Sequence, residues 1–295
     1  MATAAEWVEG ARVRTLPAAV APILVGTAVA LHEGGADALR AILAAVVALA
    51  LQLAVNFAND YSDGIRGTDD DRVGPMRLVG SGAATPAQVK GAAFACFGLA
   101  ALAGLALVVV TGQWWLVGVG IACILAGWYY TGGKRPYGYA GLGELFVFVF
   151  FGLVATIGTT YVQTLTVPWP AVAGGVATGA LASAILVANN LRDRAGDATS
   201  GKHTLAVRLG DSGTRWFYVA LVVLAKLAVL ALALGTTWWA LLGLAGFVVL
   251  IGALRAVLGG ANGPALIKVL KMTGIAEVLV GVGVLVGALI GVGVA

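Results

Sequence analysis

Nine apolar stretches run through the chain, over roughly 14–32, 38–58, 88–111, 114–131, 143–165, 169–190, 215–234, 237–256 and 272–294. Each is near the length at which an α-helix crosses the roughly 30 Å hydrocarbon core of a bilayer. In that core only helices and closed barrels satisfy every backbone amide. The expectation is an all-α membrane protein, a bundle of about nine transmembrane helices in a single domain over residues 1–295. A mean hydropathy of +0.96 excludes a soluble domain and leaves no nucleic-acid partner to expect. The 43 glycines suit close helix contacts in lipid.

Charge placement gives the chain an expected direction. With the N-terminus in the cytoplasm, every basic residue except Arg40 and Lys226 falls on the inner side, as the positive-inside rule requires. The opposite turns carry Trp114, Trp115, Trp169, Trp238 and Trp239, an aromatic belt for the outer interface. Met1 to Arg14 lacks a long apolar region with a cleavage site, so an uncleaved first span is expected. Cys96 and Cys123 fall inside predicted spans and suggest packing, not a disulfide framework.

Two polar clusters close apolar segments on the inner side: Asn56-Phe57-Ala58-Asn59-Asp60-Tyr61-Ser62-Asp63, and Asn189-Asn190-Leu191-Arg192-Asp193-Arg194-Ala195-Gly196-Asp197. Ionisable groups at a membrane edge are costly and mark function unless paired for structure. Asn56 to Asp60, Asn59 to Asp63, and Asn189 to Asp193 to Asp197 recur at i, i+4, which stacks them on one helix face. The spacing suggests an internal repeat, with Asn189/Asp193 matching Asn56/Asp60 in one register and Asn59/Asp63 in another. Facing rows of this kind suit Mg2+ with a diphosphate, because Mg2+ takes one or two carboxylates plus phosphate oxygens. Asp63, Asp69, Asp193 and Asp197 are the candidate carboxylates; Asn59 and Asn189 add neutral oxygens. The competing reading makes these acids helix caps and partners of Arg66, Arg72, Arg192 and Arg194.

Basic residues interleave with the acids. Arg72, Arg77, Lys134, Arg135 and Lys202 are candidates to hold non-bridging phosphate oxygens, Arg77 and Lys134 foremost. Tyr129, Tyr130, Tyr137 and Tyr139 flank Lys134-Arg135, and aromatic faces stabilise a developing cation. Glu144 and Glu277 could orient a substrate hydroxyl or simply hold helices together.

The pattern resembles the UbiA superfamily of intramembrane aromatic prenyltransferases. Asn59-Asp60-Tyr61-Ser62-Asp63 matches its first acidic motif and Asp193-Arg194-Ala195-Gly196-Asp197 its second. Supporting strings are Gly67-Thr68-Asp69-Asp70-Asp71-Arg72, Arg77-Leu78-Val79-Gly80-Ser81-Gly82, Tyr130-Thr131-Gly132-Gly133, Tyr137-Gly138-Tyr139-Ala140-Gly141-Leu142-Gly143-Glu144 and Gly201-Lys202-His203-Thr204-Leu205-Ala206-Val207-Arg208-Leu209-Gly210. Many members place a further Asp where Gly67 stands, and the subgroup that prenylates 1,4-dihydroxy-2-naphthoate is similar in lacking it. Asp69, Asp70 and Asp71 are all open as its replacement.

The resemblance implies a helical bundle around a cavity with polar loops on the cytoplasmic side of a bacterial plasma membrane. Asn59, Asp60, Asp63, Asp69, Asn189, Asp193 and Asp197 would hold Mg2+, with Lys134 assisting catalysis. A polyprenyl diphosphate would ionise, the naphthoate ring would attack the allylic cation, and loss of CO2 would give demethylmenaquinone. Other acceptors, such as 4-hydroxybenzoate or homogentisate, are the alternative within the superfamily. Outside it, a transporter would use the acids to line an ion path. A CDP-alcohol phosphotransferase fits less well, since Gly67-Thr68 interrupts its signature after Asp60-Tyr61-Ser62-Asp63-Gly64.

Overall fold

The computed structural model describes residues 2–67 and 76–294, and the described residues form helices and connections without a strand. In chain order the helices are α1 (Ala4–Gly10), α2 (Pro17–His32), α3 (Ala38–Gly64), α4 (Pro86–Thr111) and α5 (Leu116–Tyr129). They continue with α6 (Gly143–Thr164), α7 (Trp169–Thr199), α8 (Leu205–Gly235), α9 (Trp238–Leu258) and α10 (Ala265–Val294). Seven of them, α3, α4 and α6 to α10, are long and apolar enough to cross a membrane. Ala4–Thr15 and Pro17–His32 meet at 50° and make an eighth span if counted together. Every expected apolar stretch has a helical counterpart, but α5, with 14 residues, extends only about 21 Å and falls short of spanning length.

The apolar faces divide the helices into two layers. Val25 and Val29 of α2 join Leu181 and Val187 of α7, Tyr218 and Leu232 of α8, and Val280 and Val284 of α10 in the main core. Helices α3, α4 and α5 form the other layer, with α3 touching α2 and α6. Small residues let the backbones of α6 and α7 nearly touch: a Cβ on Gly152 would stand 2.3 Å from Gly179 Cα. Residues Phe148–Val154 of α6 are wound as a π-helix at this crossing, a form often found at functional sites.

Helices α3 and α7 run past their apolar stretches to Gly64 and Thr199, so both Asn/Asp clusters are helical. The segment following the undescribed residues folds back over the end of α3. Both carboxylate oxygens of Asp60 accept main-chain N–H groups of this segment, from Leu78 at 2.8 Å and Val79 at 3.0 Å. Gly64 makes the approach possible, since a Cβ there would lie 2.4 Å from Val79 Cγ1. Leu78 is thereby driven into a small core with Phe57, Ala58 and Val89.

Candidate functional site

Between the two layers lies a cavity of about 1900 Å³. Its polar end is walled by Asn59 and Asp63 from α3, by Asn189, Asp193 and Asp197 from α7, and by Arg77, Tyr139 and Lys202 from connections. Its other end is apolar, running along Val47 and Leu51 of α3, Gly104 and Leu107 of α4, Leu116 and Ile124 of α5, and Phe150 and Val154 of α6. Leu105 and Ile121 line this end and are 47% and 54% exposed.

Asp63 is the hub of the polar end. Its Oδ1 accepts a short hydrogen bond from the Tyr139 hydroxyl and faces Lys202 Nζ at 3.5 Å, while Oδ2 faces Arg77 Nη2 at 3.5 Å. Lys202 also stands 4.6 Å from the centre of the Tyr139 ring, within cation–π range. Asn59 Oδ1 accepts from Thr131 Oγ1 at 2.7 Å. Across the cavity, the Arg192 guanidinium meets Asp193 through two contacts of 2.7 Å and Asn189 Oδ1 at 2.8 Å. The fork geometry aims both acceptors from one buried cation.

The register in which Asn59/Asp63 faces Asn189/Asp193 therefore shares the cavity. Asp60, expected as a metal ligand, is fully buried away from it and secures the covering loop instead. Lys134 and Arg135, expected at the diphosphate, are exposed and do not line the cavity. They follow the turn at Gly133 (φ 78°), whose carbonyl is taken by Arg66, and their charges stay in water. Arg66 itself is tied to the carbonyls of Thr131 and Gly133. Asp69 and Arg72 lie outside the described residues, as do Asp70 and Asp71.

An aromatic ladder descends from the polar end: Tyr130 meets Tyr137 edge-on at 5.5 Å, Tyr137 stacks on Phe146 at 4.0 Å, and Phe146 stacks on Phe150 at 5.9 Å. Burial pushes the Tyr130 and Tyr137 phenols well above their usual range, so both stay protonated.

The UbiA prenyltransferase family model matches residues 19–275. The chain belongs to the UbiA prenyltransferase family. It is 53% identical over 276 residues to the 1,4-dihydroxy-2-naphthoate octaprenyltransferase of Mycobacterium tuberculosis, covering 94% of each chain. To the enzyme of the same name from Escherichia coli K12 it is 42% identical over 223 residues, 74% of this chain and 72% of that one. Among solved structures, the apo UbiA homolog from Aeropyrum pernix K1 superimposes with a TM-score of 0.72 at 16% identity, over 92% of this chain and 97% of that one. The Archaeoglobus fulgidus homolog bound to DMAPP and Mg2+ gives 0.58 at 16% identity, over 98% and 100%. These two likenesses establish the UbiA fold.

Among the described residues no three of His, Cys, Asp and Glu converge as a closed metal cage. Asp63 on one wall and Asp193 and Asp197 on the other, with Asn59 and Asn189 beside them, are hard oxygen donors of the kind that Mg2+ takes in small number when phosphate oxygens and water complete its shell. The donor set fits the ion. Thr131, which holds Asn59, carried no distinguishing sequence signal beyond its place in the family-like strings, and Tyr139, singled out for its aromatic face, holds Asp63 through its hydroxyl.

Proposed function

We propose that this multi-pass membrane protein transfers a polyprenyl chain from polyprenyl diphosphate to 1,4-dihydroxy-2-naphthoate, releasing diphosphate and CO2 and giving demethylmenaquinol, the reduced form of demethylmenaquinone. The observation that carries the reading is the division of one cavity into a charged end and a long apolar end, matching a substrate with a diphosphate head and a hydrocarbon tail. The names of the 53% and 42% identical relatives support the choice of acceptor.

Arg77 and Lys202 hold non-bridging oxygens of the diphosphate. Asn59, Asp63, Asn189, Asp193 and Asp197, with Asp69 from the undescribed segment, are the residues that would hold Mg2+, which supplies neutralisation of charge on the departing diphosphate. None of the acids acts as nucleophile. Tyr139 and Lys202 fix the orientation of Asp63, and Arg192 fixes Asp193 and Asn189, so the carboxylates are set before substrate arrives. The faces of Tyr137 and Phe146 line the path of the allylic cation, and the apolar walls exclude the water that would quench it. The ring then attacks, forming the carbon–carbon bond, and loss of the carboxyl group as CO2 restores aromaticity. The charged end opens to the cytoplasm of a bacterial plasma membrane.

Purified protein incubated with Mg2+, a polyprenyl diphosphate and a panel of acceptors tests the reading. Prenylated, decarboxylated naphthol from dihydroxynaphthoate is the expected product by mass spectrometry. No product with that acceptor, and product with 4-hydroxybenzoate or homogentisate, would overturn the assignment.

A further inference from the structure

Glu144 is an acid that the mechanism above leaves unused. It stands second in α6 and is 4% exposed. Its Oε1 accepts from Asn190 Nδ2 at 2.9 Å, and Ser183 Oγ donates to its main-chain carbonyl at 3.1 Å, pinning this turn to α7. The other oxygen, Oε2, is buried with no hydrogen-bond partner. A buried acceptor that has lost its hydration and gained nothing is unusual in a native fold and calls for a donor.

Tyr130 is beside it. The Tyr130 hydroxyl and ring both come to 3.4 Å from where a Cβ on Gly143, the neighbour of Glu144, would stand. Tyr130 and Asn190 line the cavity and Glu144 does not, which places the acid behind them in the wall. The Tyr130 hydroxyl makes no hydrogen bond among the described residues. A donor at the wall and an unmatched acceptor thus stand one behind the other, on the side of the cavity that faces Asp63 and Asp197.

We propose that Glu144 is a positioning residue for the aromatic acceptor: when the acceptor binds, Tyr130 turns its hydroxyl to donate to Glu144 Oε2, and the Tyr130 oxygen, so oriented, accepts a hydrogen bond from a phenolic hydroxyl of the acceptor. This rests on the reading of the cavity as a site of prenyl transfer to a hydroxylated ring. The hydrogen bonds then run in one direction, from ring hydroxyl to Tyr130 to carboxylate, and each strengthens the next. Donating this hydrogen bond leaves more electron density on the ring oxygen, which passes it to the ring as attack begins, and Asn190 keeps the carboxylate from turning away. No proton leaves the substrate in this arrangement; the relay selects and polarises a hydroxyl.

The test is Glu144→Gln, which keeps the size of the side chain and an oxygen for Asn190 but turns an NH2 toward Tyr130. Its kcat is expected to fall about 10- to 100-fold, with the KM for prenyl diphosphate unchanged. Tyr130→Phe should lose the same factor, the double variant no more than either single one, and Glu144→Asp should recover part of it. The wild type should discriminate the dihydroxy acceptor from one of its mono-O-methyl ethers, and Glu144→Gln should not. Wild-type kcat in Glu144→Gln, multiplying losses in the double variant, or a raised KM for prenyl diphosphate would each overturn the relay while wild-type turnover in the same membranes leaves the proposed reaction standing. If Glu144→Gln does not fold, Tyr130→Phe and the methyl ethers decide alone. A wild type that prenylates no hydroxylated ring would remove both proposals together.

Discussion

Lys202 Nζ stands 3.5 Å from Asp63 Oδ1, joining the connection after α7 to the last turn of α3. The contact crosses the polar end of the cavity, so the two acidic motifs are held in one electrostatic unit. Arg77 approaches the other oxygen of the same carboxylate from the covering loop. Both cations lie where a diphosphate would draw them away from Asp63.

Removing the carboxylates is the direct test. Asp63→Ala or Asp193→Ala is expected to retain less than about a tenth of wild-type turnover, a barrier increase above about 1.4 kcal/mol, in protein that still inserts and melts cooperatively. Lys202→Ala should raise the KM for prenyl diphosphate more than it lowers kcat. Steady-state kinetics in detergent with saturating acceptor separate the two effects.

Asp60 has a different task, and its substitution a different signature. Asp60→Ala leaves the Leu78 and Val79 amides without acceptors in a buried place, at a cost of about 1–3 kcal/mol. A lowered thermal midpoint with Mg2+ affinity unchanged is the expected result. A loss of Mg2+ affinity at constant stability would make Asp60 a ligand after all.

Close packing at the π-helix predicts a steric defect. Gly152→Val would force side-chain atoms against Gly179 Cα and the Gly175 carbonyl, and overpacking of this kind costs about 1–3 kcal/mol. Thermal melting of Gly152→Val beside Gly158→Val, a position with open space around it, checks the prediction: only the first should be destabilised.

The phenols set an alkaline limit. Burial, then the charge of Glu144 and the neighbouring Tyr137, Asp63 and Asp197, raises the Tyr130 phenol above its ordinary value of 10.0. The unfolded chain therefore releases this proton at lower pH than the folded one, so stability falls as pH rises past about 10 and is untouched below it. Tyr130→Phe should flatten the alkaline part of a melting-temperature profile taken from pH 7 to 11.

Orientation is testable without turnover. With Cys96 and Cys123 replaced, a single cysteine at Ser200 should resist an impermeant maleimide added outside intact cells, whereas one at Gln113 should react. The opposite pattern would invert the topology.

The helical framework was legible because lipid leaves few alternatives: apolar length alone located every long helix. The acidic motifs were legible as a pair, but spacing could not separate Asp60 from Asp63. Both sit at the end of α3, three residues apart, and only the amides of Leu78 and Val79, brought from far along the chain, assign the first to the loop and the second to the cavity. Lys134 and Arg135 stand outside the cavity lining for a related reason, since charge beside a motif says nothing about which way a turn points. Helix α1 was missed because its Trp7 packs on Phe57 through a tertiary contact that a sequence of seven residues does not announce. The orphaned Oε2 of Glu144 is a property of the fold and has no counterpart in the sequence.

Helix α5 is short, and Leu105 and Ile121, in the apolar wall of the cavity beside it, are half-exposed. A prenyl tail entering there exchanges one hydrocarbon surrounding for another, so once it reaches this wall each added isoprene unit changes its partition between membrane and protein by almost nothing. Such a cavity grips the head of its substrate and is indifferent to the length of what trails behind; the chain length of the product would then be decided by whichever enzyme makes the diphosphate, and by the supply dissolved in the surrounding bilayer.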